Sequence, residues 1–114
     1  YRLVFDKSPD ATEGAEASII PDEQGRVCGG LFFLDTADIP ALDAYEEYPR
    51  LYEKRLLKVR DEGGFVYDAL CYLRPKGMRG TPQKEYLSII IQGAHDCSLP
   101  EEYIHTVFQN ISHS

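Results

Sequence analysis

The spacing of apolar and polar residues divides the chain into short elements. "YRLVF", Tyr1 to Phe5, is a β-type run. A second strand is expected around Ala17 to Ile20, and a third over "VCGGLFFL", Val27 to Leu34. Pro21, Asp22 and Gly25 carry turn chemistry between them and predict a hairpin. Gly29 and Gly30 inside the third run suggest a bulge or the close approach of another backbone. Asp35 or Thr36 caps a helix that runs to about Glu47. Tyr52 to Arg60 and Phe65 to Arg74 flank "DEGG" and read as an antiparallel hairpin. Thr81 and Pro82 open a helix to about His95, with Tyr86, Ile89, Ile90 and Gly93 on one face. Ser98 and Glu101 have capping-box spacing before a last helix striped by Tyr103, Ile104, Val107, Phe108 and Ile111. The order β-β-β-α-β-β-α-α predicts an α+β fold: a small, mainly antiparallel β-barrel flanked by helices.

Composition narrows the class. A chain of 114 residues makes one domain, 1–114, without room for a second core. With 43% hydrophobic and 27% charged residues the balance is that of a globular protein. A net charge of -7 repels phosphate backbones, which argues against DNA or RNA as partner. The longest apolar runs, "LFFL" and "LSIII", are core-sized and far short of a bilayer span. Cys28, Cys71 and Cys97 are odd in number and form no C-x-x-C pair, so they read as packed thiols of a reducing, cytoplasmic compartment. "YRLVFD" reads as a strand already begun, so the domain is expected to start before Tyr1.

Other chemistry is thin. His95, Cys97 and His105 match no zinc spacing, and neither a metal nor a cofactor is expected. Nothing places a Cys–His nucleophilic pair together. Arg74, Lys76 and Arg79 in "RPKGMRG" are the one basic cluster, read as a solvated loop or as a holder for an acidic substrate. Phe32, Phe33, Tyr45, Tyr48 and Tyr72 read as core or pocket wall.

One carboxylate stands out in "ALDAYEEYPRLYEKR", Ala41 to Arg55. On a helical wheel Leu42 and Ile39 bound an apolar arc, and Glu46 falls between them, inside it. Asp43 and Glu47 fall outside the arc, on the far side of Ile39. Burial, the negative end of the helix and the two acidic neighbours all push the Glu46 carboxyl upward. A carboxylate poised nearer neutrality suits general acid/base work. The bland alternative is that Glu46 swings to water or pairs with Arg50, Lys54 or Arg55.

The same residues resemble a known family. "LDAYEEYPRLYEKRLLKV", Leu42 to Val59, is similar to the L-D-x-x-E-G-x-P-x-x-Y-x-R-x-x-V segment of γ-glutamylcyclotransferase-like (AIG2-like) proteins. "GGLFFLD" resembles their G-V-x-(Y/W)-x-(L/M)-(D/N) strand. "TPQKEYLSIIIQGAHDCSLPEEYI" resembles their S-P-x-x-Y-x-x-x-I-x-x-G-A-x-x-x-x-L-P-x-x-Y ending. The resemblance implies a mixed β-barrel flanked by helices. It implies cleavage of γ-glutamyl amides by intramolecular cyclisation, to 5-oxoproline and a free amine. Glu46 is then the acid/base, and Tyr52 and Tyr86 are the pocket tyrosines. The partner implied is a small γ-glutamyl substrate, and a homodimer is compatible with it. The family's Tyr-Gly-Ser-Asn loop, which supplies oxyanion donors, has no counterpart here; that loop, with a strand and a connecting segment, is expected upstream of Tyr1. Glu47 stands where the family usually has Gly. The alternatives are a non-catalytic small-molecule-binding or interaction domain of the same fold, and activity on γ-glutamylamines.

Overall fold

The computed structural model describes residues 1–7, 14–74 and 78–108. Its elements make an α+β fold with antiparallel sheets. Two compact units are formed, one from residues 1–30 and 76–114, the other from residues 31–75.

In the first unit, β1 (Arg2–Lys7) is the central strand. It pairs antiparallel with β2 (Glu16–Ile20), Val4 opposite Ser18, and with a two-residue strand, Met78–Arg79, Asp6 opposite Arg79. The expected hairpin between "SII" and "VCGG" is therefore replaced by a β1–β2 ladder. The turn chemistry itself is real: Gly25 N–H donates to the Asp22 carbonyl at 3.2 Å, and Gln24 N–H to Asp22 Oδ1 at 2.9 Å. The close backbone approach expected at Gly29 occurs at Gly25 instead. A Cβ there would run into the Tyr1 carbonyl, whereas one on Gly29 would meet nothing.

Phe5, Ala15 and Leu87 form the buried centre, with Leu3, Ala17, Tyr86, Ile90, Ile91 and Phe108 packed around it. The middle helix, Lys84–Asp96, turns Leu87 and Ala94 inward and leaves Ile89 72% exposed. Its buried stripe thus runs Leu87, Ile90, Ile91, Ala94, at i, i+3, i+4 and i+7, rather than along Ile89 and Gly93. The helix starts two residues later than Thr81-Pro82 predicts. The Thr81 carbonyl is taken by Ala15 N–H at 3.1 Å, and the first helical bond runs from Leu87 to Gln83. Its C-terminus closes through Cys97 N–H to Gly93 and Leu99 N–H to Ala94, with Ser98 at φ 56°. Ser98 therefore ends this helix instead of capping the next, and the expected capping box does not form. The last helix begins at Glu101 and buries Tyr103 and Ile104. The Ile111 of the expected stripe lies outside the described residues.

In the second unit, Asp35 Oδ1 accepts from Ala37 N–H at 3.0 Å and starts a 3-10 turn, Thr36–Asp38. That turn leads into α1 (Ile39–Tyr45), with Pro40 in its first turn. The N-terminal signal is as expected; the helix ends two residues sooner. The long strands β3 (Glu53–Arg60) and β4 (Val66–Leu73) pair antiparallel, from Glu53·Leu73 to Arg60·Val66. Asp61 closes their loop. Its carbonyl accepts from Gly64 N–H, its Oδ1 from Phe65 N–H and its Oδ2 from Tyr67 Oη, each at 3.0 Å. Gly64 supplies the φ of 86° that the turn requires.

The expected strand over Val27 to Leu34 is absent: residues 21–35 carry no strand. A β-type sequence becomes a strand only when a ladder partner accepts it. Leu31 and Leu34 are about half exposed, Phe32 is 77% and Phe33 95% exposed, and Tyr45 is 82% exposed, so these residues are not core. Cys28 and Cys71 are half-buried, and burial pushes the Cys71 thiol up; Cys97 is exposed, so only two of the three thiols are packed. Among the described residues no helix is long and apolar enough to cross a membrane.

Candidate functional site

The Lys54·Tyr72 pairing puts these two side chains on one face of the hairpin. Continuing the register by one step sets Tyr52 beside Arg74 at the open end. Both are buried, and the Arg74 guanidinium lies 5.7 Å from the Tyr52 ring centroid. Of the basic cluster read as a solvated loop or as a holder for an acidic substrate, Arg74 is buried rather than solvated. Arg74 stacks on Tyr52, Arg79 in the first unit donates to Asp6 Oδ1 at 2.5 Å, and Lys76 lies outside the described residues.

Asp43 ties α1 to that face. Its Oδ1 accepts from Tyr72 Oη at 2.5 Å and its Oδ2 from Lys54 Nζ at 2.9 Å. Lys54 Nζ also sits 4.4 Å above the Tyr48 ring. The Tyr72 hydrogen bond, then Lys54, hold the Asp43 carboxyl below its usual range. Burial, then the bond to Asp43, push the Tyr72 hydroxyl up to about 12; the charges of Glu46 and Tyr48 push the same way.

Glu46 is the C-cap of α1, half-buried, at φ −82° and ψ 0°. Its N–H donates to the Leu42 carbonyl at 2.9 Å, which holds it one turn past Asp43. Arg50 bonds Glu47, Lys54 bonds Asp43 at 2.9 Å, and Arg55 bonds Glu53 at 2.7 Å. So Glu46, Tyr52, Asp43, Lys54, Tyr72 and Arg74 belong to one unit, supplied by the helix end and the open end of the hairpin. Tyr86 belongs to the other unit. There its hydroxyl accepts from Ala17 N–H at 2.8 Å, linking the middle helix to β2.

Asp43, Lys54 and Tyr72 do not stand out in the sequence as a group. Asp43 lies off the apolar arc of the wheel, and its partners become visible only once the strand register is known.

Glu47 takes φ 55°, left-handed backbone that costs a non-glycine residue roughly 1–2 kcal/mol. This is a physical reason for glycine at the corresponding place in the pattern E-G-x-P. Glu47→Gly and Glu47→Ala both remove the ion pair to Arg50. The glycine variant should be the more stable of the two by about 1 kcal/mol in urea unfolding, the reverse of the order expected inside a helix.

The two perturbed groups also set a pH dependence. A tyrosine held protonated in the folded state contributes stability that is intact below about pH 10. That contribution is lost as pH climbs through about 12. Asp43, depressed, contributes above the ordinary carboxylate range and loses it as pH falls through its lowered value. The 295 nm absorbance difference between wild type and Tyr72→Phe isolates Tyr72 from Tyr67 and Tyr103, which are also raised. Its midpoint should lie near 12 rather than 10.

Comparison with known proteins places the geometry. A model described as the AIG2-like family matches residues 26–107. An uncharacterised protein from Homo sapiens has a matching solved structure, with TM-score 0.92 and 24% identity over 99% of this chain and 69% of that one. A structure titled gamma-glutamyl cyclotransferase matches with TM-score 0.84 and 21% identity, again over 99% and 69%. At these identities the likeness establishes the fold. No curated protein matches.

Proposed function

The chain belongs to the AIG2-like family, and from that premise we propose that it releases 5-oxoproline from γ-glutamyl amides, with Glu46 as the acid/base. The substrate's α-amine attacks its own γ-carbonyl, so no protein nucleophile is needed. Folding the glutamyl chain into a near-ring places the reacting atoms together, which is where much of the rate arises. Glu46 takes a proton from the attacking ammonium and returns it to the leaving amine as the C–N bond breaks. The family pattern assigns the pocket tyrosines to Tyr52 and Tyr86, and the substrate is a small molecule.

The observation that carries this reading is the setting of Glu46. It is a half-buried carboxylate at a helix end, in the same unit as the buried Tyr52. A carboxylate fixed at a helix end can take a proton from the attacking amine and return it to the leaving one. The experiment is 5-oxoproline release from γ-glutamyl amino acids and γ-glutamylamines, wild type against Glu46→Gln. Release by wild type and none by the variant supports the reading. No release from any γ-glutamyl amide favours a binding domain of the same fold.

A further inference from the structure

We propose that the open edge of β1 between Arg2 and Val4 binds an extended peptide of alternating acidic and apolar residues, taken up as an added strand.

The two edges of β1 are unequally covered. On one side β2 accompanies it from Arg2·Ile20 to Asp6·Glu16. On the other, the two-residue strand pairs only with Asp6 and Lys7. Two bonds show which backbone groups face this second side. The Phe5 carbonyl accepts from Gly80 N–H at 3.0 Å. Ala17, opposite Phe5 in the ladder, gives its N–H to Tyr86 Oη instead of to β1. Phe5 therefore turns its backbone groups away from β2, and Leu3, two residues earlier, does the same. Past Gly80 the chain leaves the edge, and the Thr81 carbonyl takes Ala15 N–H. Among the described residues no strand lies beside Leu3 on that side. A hollow of about 290 Å³ stands there, lined by Arg2, Leu3, Val4, Arg79, Thr81 and Pro82 among others, none of them acidic.

The side chains around the hollow select the partner. Arg2, Val4 and Asp6 alternate onto one face of β1, and Arg79, opposite Asp6, shares that face. Arg79 reaches Asp6 Oδ1 through one terminal nitrogen, and its side chain is half exposed. Asp6 itself is buried and closed to a ligand. Arg2 is also half exposed, and its Nε stands 3.6 Å from Asp22, too far for a hydrogen bond. A guanidinium carries five N–H donors, so each arginine keeps several for a carboxylate. Two such groups beside an acid-free hollow, in a chain of net charge -7, favour an anionic partner. Leu3 and Phe5 alternate onto the opposite face, with the core. A strand beside Arg2–Val4 thus sets its acidic side chains toward the arginines and its apolar ones beside Leu3. Its backbone bonds Leu3 N–H and C=O, as in other strand additions. A second copy of β1 would bring arginine to arginine, so the occupant is a foreign acidic segment.

The test is a ¹H–¹⁵N NMR titration of the whole chain with a blocked pentapeptide alternating glutamate and valine. The Leu3 amide should shift more than those of Arg2 and Val4, which face β2. The same peptide with lysine for glutamate should bind at least about tenfold more weakly, and Arg2→Glu should reverse that preference. N-methylation separates strand addition from simple charge attraction. Methylating the valine nitrogens, which face Leu3, should abolish binding, while methylating the glutamate nitrogens should leave it within about threefold. No shift at Leu3 up to about 10 mM peptide overturns the proposal. Equal loss from both methylations overturns it too, as does equal binding by the lysine peptide. Free glutarate giving the same shifts at the same concentrations would show a carboxylate site only, and would also overturn it. If Arg2→Glu does not fold, the peptide series on wild type decides alone.

Discussion

Glu46→Gln should reduce 5-oxoproline release by about 10²–10⁴-fold, the usual worth of a positioned acid/base, while the chain still folds. The amide copies the shape of the carboxylate and keeps one acceptor oxygen, with an N–H donor group in place of the other. What it loses is the ability to take and return a proton. The backbone N–H of Glu46 bonds the Leu42 carbonyl. That bond survives the substitution. The side chain is a negative charge at the negative end of a helix, beside Asp43 and Glu47. Activity and stability are thus expected to part. Steady-state kinetics and a circular-dichroism melt on the same preparation test both halves. Equal turnover in the two proteins defeats the assignment of Glu46.

Local signals in the sequence are the reliable ones. The β3–β4 hairpin follows from alternation on both sides of "DEGG", and its loop is closed by residues close in sequence. The Asp35 cap is equally local. The partial burial of Glu46 is legible because a helical wheel needs only one element. Apart from the Ser98 cap and the end of α1, the failures require knowledge of distant partners. β2 pairs with β1, so the turn at Asp22–Gly25 leads into no hairpin, and Val27 to Leu34 is left without a strand partner among the described residues. The predicted face of the middle helix is right at Tyr86 and Ile90, which pack against the core, and wrong at Ile89, which is exposed while Leu87 and Ile91 turn inward. What selects Leu87 is contact with Phe5 and Ala15, which no helical period contains. The Asp43 cluster stays hidden for the same reason. A polar residue off the apolar arc gains its meaning only from Lys54 and Tyr72, facing each other across the ladder.

Phenylalanine gives the sharpest energetic contrast. Phe5→Ala should destabilise the first unit by about 3–5 kcal/mol, whereas Phe33→Ala should change stability by no more than about 0.5 kcal/mol. Sequence alone favours the opposite ranking: Phe33 sits in "GLFFL", the densest apolar run near the start of the chain, and Phe5 in a strand flanked by charges. The structure reverses it. Phe5 is 8% exposed and touches Ala15 and Leu87, while Phe33 is 95% exposed. Truncating Phe5 removes its apolar area and leaves a hollow bounded by the β1–β2 ladder on one side and the middle helix on the other. The ladder is held by backbone bonds over five residue pairs and cannot collapse into the gap. Truncating Phe33 removes a ring that already faces water. Urea unfolding of both variants, followed by circular dichroism, measures the difference. Comparable midpoints for the two would mean that Phe5 does not anchor the core of that unit.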